Sequence, residues 1–93
     1  MKTSFSPRNN PRVIIIQKLY GKFFNENEKI IFSKHRFKKF IKDVVLGTIE
    51  RNEIILEELD KNFGDKLKLN NLDKVFQVIL KSATYEILYK PNL

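Results

Sequence analysis

The sequence predicts an all-α protein, and three observations carry that expectation. Apolar residues recur at spacings of three and four through three long segments, which is the repeat of a helix with one buried face. No alternation of period two lasts more than a few residues, and no Asn-Gly or Asp-Gly hairpin turn occurs. Candidate caps and breakers stand where those segments begin and end: Asn10-Pro11 before the first, Gly64 after the second and Pro91 after the third. With 93 residues and 42% apolar content the chain has material for one small core, so a single domain is expected over residues 11–93 behind a flexible basic arm, 1–10.

Asn10 suits the N-cap and Pro11 the first helical position, where a missing N–H costs nothing. The first helix is expected from Pro11 to about Phe24. Its apolar stripe would be Val13, Ile16, Leu19, Tyr20, Phe23 and Phe24, with Arg12, Lys18 and Lys22 on the other face. The β-branched run Val13 to Ile16 favours a strand by propensity, but the periodicity continues beyond strand length. Asn25 to Lys29 reads as a break, Ile30 to Phe32 as one or two helical turns, and Ser33 as a cap. From Lys34 to Phe63 the repeat Phe37, Ile41, Val44, Val45, Thr48, Asn52, Ile55, Leu56, Leu59 and Phe63 predicts one continuous helix of about 45 Å. Gly47 lies inside it at a cost of about 1 kcal/mol relative to alanine, so another helix is expected to approach closely there. Gly64 is placed for a left-handed C-terminal cap. Asn70 or Asn71 would cap a last helix whose stripe is Leu72, Val75, Phe76, Ile79, Leu80, Ala83, Ile87 and Leu88, ended by Pro91.

Charge narrows the function. The chain carries 18 Lys+Arg against 11 Asp+Glu, a formal +7, and the excess lies at the front: +9 over residues 1–42 and −2 over 43–93. Such asymmetry points one half at a polyanion and the other at protein or solvent; a lysine-rich surface serving solubility alone is the plainer alternative. There is no cysteine, hence no disulfide, thiolate nucleophile or Cys-ligated zinc. The longest apolar run, Val13 to Ile16, is far short of a membrane span, and Met1 to Asn10 lacks the apolar region of a secretory signal, so a soluble cytoplasmic protein is expected.

Catalysis is not expected. Gly21, Gly47 and Gly64 stand too far apart for a phosphate loop. His35, the single histidine, has no recognisable nucleophile partner and reads as a surface or RNA-facing residue. Glu50, Glu53, Glu57 and Asp60 fall at helical spacing, but a metal would need ligands from a second helix, such as a Glu-x-x-His pair, and none is present. These acids read as a solvated face, and no metal or cofactor is expected. What remains is electrostatic binding through Arg8, Arg12, Lys18 and Lys22, with a second cluster from Lys34 to Lys42 beside Phe37 and Phe40. Of these two rings, Phe37 is expected in the core.

Three blocks carry a family resemblance. Pro11-Arg12-Val13-Ile14-Ile15-Ile16-Gln17-Lys18-Leu19-Tyr20 resembles the opening helix of the NusB transcription antitermination family, with its arginine-rich arm and Ala-Arg-Glu-x-Ala-x-Gln-x-Leu-Tyr pattern. Phe40 to Asn52, with Gly47 inside, is similar to the family's Phe-x-x-x-Leu-x-x-Gly-Val-x-x-Asn segment. Val78-Ile79-Leu80-Lys81-Ser82-Ala83-Thr84-Tyr85-Glu86-Ile87-Leu88 resembles its Ala-Ile-Leu-Arg-x-Ala-x-Tyr-Glu-Leu helix.

The resemblance implies a helical fold of two small bundles and a non-enzymatic role. NusB-like proteins bind the boxA element of nascent ribosomal RNA as a single strand, most tightly with NusE, the ribosomal protein that joins the RNA polymerase antitermination complex. Carried onto this chain, it assigns Arg8 and Arg12 to RNA, with Lys2 as a further candidate beside Lys18 of the first helix's basic face, and Tyr20 to the protein partner unless its ring is buried between helices. The chain departs from the pattern in three places. Asn9 and Asn10 separate Arg8 from Arg12, Lys81 stands for an arginine, and the sequence stops at Leu93 before the family's C-terminal helices, as either a fragment or a shortened relative would. The last helix is therefore expected to miss part of its packing partner, which favours a homodimer or exchanged helices. Two other readings remain: the RNA-guiding domain that precedes some ribosomal-RNA methyltransferases, and a helical protein-interaction adaptor without an RNA role.

Overall fold

The computed structural model describes residues 9–27, 29–64 and 72–91. Four helices follow one another: α1 (Pro11–Phe24), α2 (Lys38–Glu50), α3 (Asn52–Phe63) and α4 (Lys74–Tyr89), with no strand among the described residues. The chain is all-α, as its periodicity predicts. The arm expected over residues 1–10 lies outside the described residues up to residue 8, and so do Asn70 and Asn71.

The start of α1 is set by its cap. The Asn10 side-chain oxygen accepts from the backbone N–H groups of Arg12 at 2.9 Å and Val13 at 3.4 Å, and Pro11 occupies the first helical position. The buried face of α1 is rotated from the expected stripe: Ile15 and Leu19 are buried, Ile14 and Ile16 pack against the core, and Tyr20, Phe23 and Phe24 are exposed. Four consecutive apolar residues, 13–16, made the phase of that stripe ambiguous.

Two expected elements differ. Ile30 to Phe32 form no helical turns. Ile30 and Phe32 both pack on the core while Ile31, between them, is 73% exposed, so burial alternates at every second residue rather than at helical spacing. Ser33 accordingly caps nothing; the turn into α2 is made by His35, whose carbonyl accepts from Lys38 N–H and whose Nδ1 accepts from Phe37 N–H at 2.9 Å. Phe37 precedes α2 and is exposed, against the core position expected for it, whereas Phe40 packs against the core.

The helix expected from Lys34 to Phe63 is bent at Arg51, whose φ of −104° and ψ of 27° leave the α-helical region. Hydrogen bonds from Arg51 N–H to the Gly47 carbonyl and from Ile55 N–H to the Arg51 carbonyl carry the helical register across the elbow. The apolar phase therefore survives, and spacing alone does not reveal the break. Ile41, Val44, Val45 and Thr48 of α2 and Ile55 and Leu59 of α3 all reach one core. Gly64 ends α3 with φ of 58° and ψ of −139°, a conformation open to glycine and costly for other residues.

Gly47 explains how α4 docks. A Cβ there would lie well under 3.0 Å from the Tyr85 ring, so the absent side chain is what admits the ring against α2. Docking through Tyr85 turns Val78, Gln77 and Ser82 inward as well. Gln77 and Ser82 satisfy their polar groups locally, Nε2 donating to the Leu72 carbonyl at 2.9 Å and Oγ to the Ile79 carbonyl at 3.1 Å. Much of the stripe expected to be buried consequently faces outward, with Val75, Phe76, Ile79, Ile87 and Leu88 exposed.

Candidate nucleic-acid interface

The basic residues of α1 and those of the segment after it meet in one groove. The segment 29–35, which is not helical, lies alongside α1 and into the start of α2. One cleft of about 310 Å³ lies between α1, this segment and α2, and includes Lys18, Lys34, His35 and Lys38. A second of about 310 Å³ continues toward the end of α1 with Lys18, Lys22 and Lys29. Gln17 and Lys18 line both, so the two adjoin along α1. Five lysines border the groove, and none of the described residues lining it is acidic. Such an arrangement focuses positive potential along a track, suited to successive phosphates of a polyanion.

His35 is a structural part of this groove. With Nδ1 accepting from Phe37 N–H, the ring proton is on Nε2, which donates to the Asn9 carbonyl at 2.9 Å. The imidazole thus ties the base of the N-terminal arm to the first turn of α2.

The expected site residues separate. Lys18 lies at the centre of the groove. Arg12, six residues earlier and so about a third of a turn away around the helix, is turned to α4. Its Nε donates to Glu86 at 3.1 Å and its Nη2 to the other carboxylate oxygen at 2.6 Å, with the guanidinium 5.5 Å from the Phe40 ring centre. The hydrogen bond to Glu86 raises the Arg12 pKa; burial opposes this and the carboxylate's charge adds to it. Tyr20 is exposed and meets Phe24 edge to face at 4.9 Å, so its ring is not buried between helices. Lys2 and Arg8 lie outside the described residues.

Lys29 was not among the residues singled out from sequence, and Lys34 and Lys38 stood there only as part of a separate cluster. The signal that could have joined them to α1 was the Ile30/Phe32 alternation, which marks the segment as not helical. Among the described residues no group of three or more His, Cys, Asp or Glu converges as metal ligands. No helix among them is long and apolar enough to cross a membrane.

Compared with known proteins, the sequence matches the model of the NusB family over residues 9–93, nearly its whole length. No curated protein and no solved structure gives a match.

Proposed function

The chain belongs to the NusB family, and from that premise we propose that it binds a boxA-like single strand of ribosomal RNA in the lysine groove and acts with a NusE-type protein in transcription antitermination. The family is one of non-catalytic RNA binders of the antitermination type. The observation that carries the reading is the groove bordered by Lys18, Lys22, Lys29, Lys34 and Lys38. Lysines act as point charges toward phosphate, so the groove holds a backbone without reading sequence. Arg12, beside its pair with Glu86, is a further RNA contact in this proposal, and Arg8 and Lys2, outside the described residues, are assigned to RNA by the family resemblance alone. The exposed edge of Tyr20 and Phe24 is the contact offered to the protein partner, since an aromatic pair on the surface supplies apolar area beside polar rims.

Affinity for single-stranded RNA measured against salt tests this. Neutralising three to five phosphates gives a log–log slope of about −2 to −3.5, at about 0.7 per contact for single strands. Lys18→Ala should lower its magnitude by about 0.7, and Arg12→Ala should weaken binding as well. A flat salt dependence overturns the proposal.

A further inference from the structure

We propose that the cleft beneath the C-terminal end of α1, walled by Phe23, Ile49 and Val78 and edged by Asn52, Glu26 and Lys81, takes the base of one unpaired nucleotide of the bound strand. The inference rests on the RNA-binding reading above and gives that strand a place to be anchored by a base rather than by phosphate alone.

Adjacency is the first support. Lys22 lines both the second cleft of the groove and this third one, so a strand following the lysines reaches it without leaving the surface. The chemistry changes at that point. The first two clefts have lysines and no acidic residue among their described lining, whereas this one adds an aromatic ring, Phe23, and the apolar Leu19, Ile49 and Val78 to Lys22, Lys81, Glu26 and Asn52. Its volume of about 300 Å³ is at the small end of ligand pockets and suits a base with its sugar.

The rim matches a base edge. Asn52 offers amide donors and an acceptor, and Glu26 offers a carboxylate acceptor for an exocyclic amine or a ribose hydroxyl. Phe23 supplies a ring for stacking, and two cations gather at it, Lys74 Nζ at 4.4 Å and Lys81 Nζ at 5.7 Å from the ring centre. A phosphate flanking the stacked base would meet both. Lys81 is partly desolvated, and its pKa is lowered by that burial, so an arriving phosphate restores a counter-charge it lacks.

The test uses the full chain, fluorescence anisotropy, and a short labelled single-stranded RNA together with a series carrying one abasic ribose at successive positions. One position should show a loss of roughly tenfold when its base is removed, and Phe23→Leu should weaken binding of the intact strand by a similar factor. Phe23→Leu should also bind the intact and the abasic strand equally, because the two changes remove the same contact. Circular dichroism confirms that the variant is folded, and Leu keeps apolar bulk at a position that is already exposed. If abasic scanning changes nothing at any position, and Phe23→Leu binds like the native protein while the salt slope remains steep, the base-binding cleft is refuted. RNA binding then stands, and the cleft is left to a protein side chain. If no salt-dependent RNA binding is found, both readings fail.

Discussion

Replacing Gly47 with alanine sets two effects of opposite sign against each other. In a helix interior alanine is favoured over glycine by about 1 kcal/mol. Against this, the new methyl would enter the space of Cζ, Cε1 and Oη of Tyr85, a side chain that is itself buried and packed at a tilt against Tyr89 at a centroid distance of 4.9 Å. Overpacking of this kind costs about 1–3 kcal/mol, and moving the ring also disturbs its neighbour. With Tyr85 buried and unable to swing aside, the middle of that range applies, so Gly47→Ala is expected to destabilise by about 1 kcal/mol net. Urea unfolding followed by circular dichroism reads this: with a slope of about 1–3 kcal/mol per molar, the midpoint falls by about 0.3–1 M. The decisive arm is Tyr85→Leu, which removes the ring atoms that clash. In that background Gly47→Ala should stabilise by about 1 kcal/mol, as propensity alone dictates. If Gly47→Ala stabilises the native protein, or if the two changes add to within about 0.5 kcal/mol, close approach of α4 is not the reason for the glycine.

Three further outcomes are expected. Asn10→Ala removes the acceptor of two N–H groups at the start of α1 and should cost about 1 kcal/mol in urea unfolding, with an unchanged midpoint counting against the cap. Thr48 is 3% exposed and its hydroxyl has no hydrogen-bond partner among the described residues, so the isosteric Thr48→Val should stabilise by about 1 kcal/mol; a loss would reveal a partner for that oxygen. Burial lowers the Lys81 pKa below its ordinary value of 10.5, so the folded state holds the charged form less well than the unfolded chain. That penalty is largest at neutral pH, shrinks as pH rises through the lowered folded-state value and is gone above the ordinary one. Lys81→Met should therefore raise the thermal midpoint at neutral pH and lose its advantage in alkaline buffer, and a pH-independent difference would refute desolvation as the cause.

The helical class and the ends of α1 were legible because capping is local: Asn10, Pro11 and the polar stretch after Phe24 act within a few residues of the helix they bound. Gly47 was legible for a related reason, since a glycine mid-helix has few uses besides close contact. The elbow at Arg51 was not, because a one-residue bend that preserves hydrogen-bond register leaves the apolar repeat in phase. The buried face of α4 was hidden by a competition that composition does not resolve. Phe76, Ile79 and Ile87 are more apolar than Gln77 and Ser82, but only the face bearing Tyr85 fits the notch at Gly47. Shape complementarity decided the docking over bulk hydrophobicity. The groove depended on tertiary placement of the 29–35 segment, so its lysines could be listed from sequence but not assembled.

Arg12 shows how one helix divides its roles. The guanidinium and Glu86 form a bidentate pair, yet the Arg12 side chain is 56% exposed, and ion pairs so open to water contribute about 1 kcal/mol at most. Only two of its five N–H donors point at Glu86, so the outer edge of the fork is oriented by the pair rather than consumed by it. Holding a long side chain in one geometry removes the rotamer entropy that a phosphate would otherwise have to overcome. The internal ion pair and an RNA contact are therefore compatible. Ile15 and Leu19 fix α1 on the core, Arg12 braces its start against α4, and Lys18 and Lys22 are carried along a rigid edge at helical spacing. Lysines mounted on a helix braced in this way keep a fixed spacing, which is what the proposed RNA contact requires and what the same lysines on a loose loop would lack.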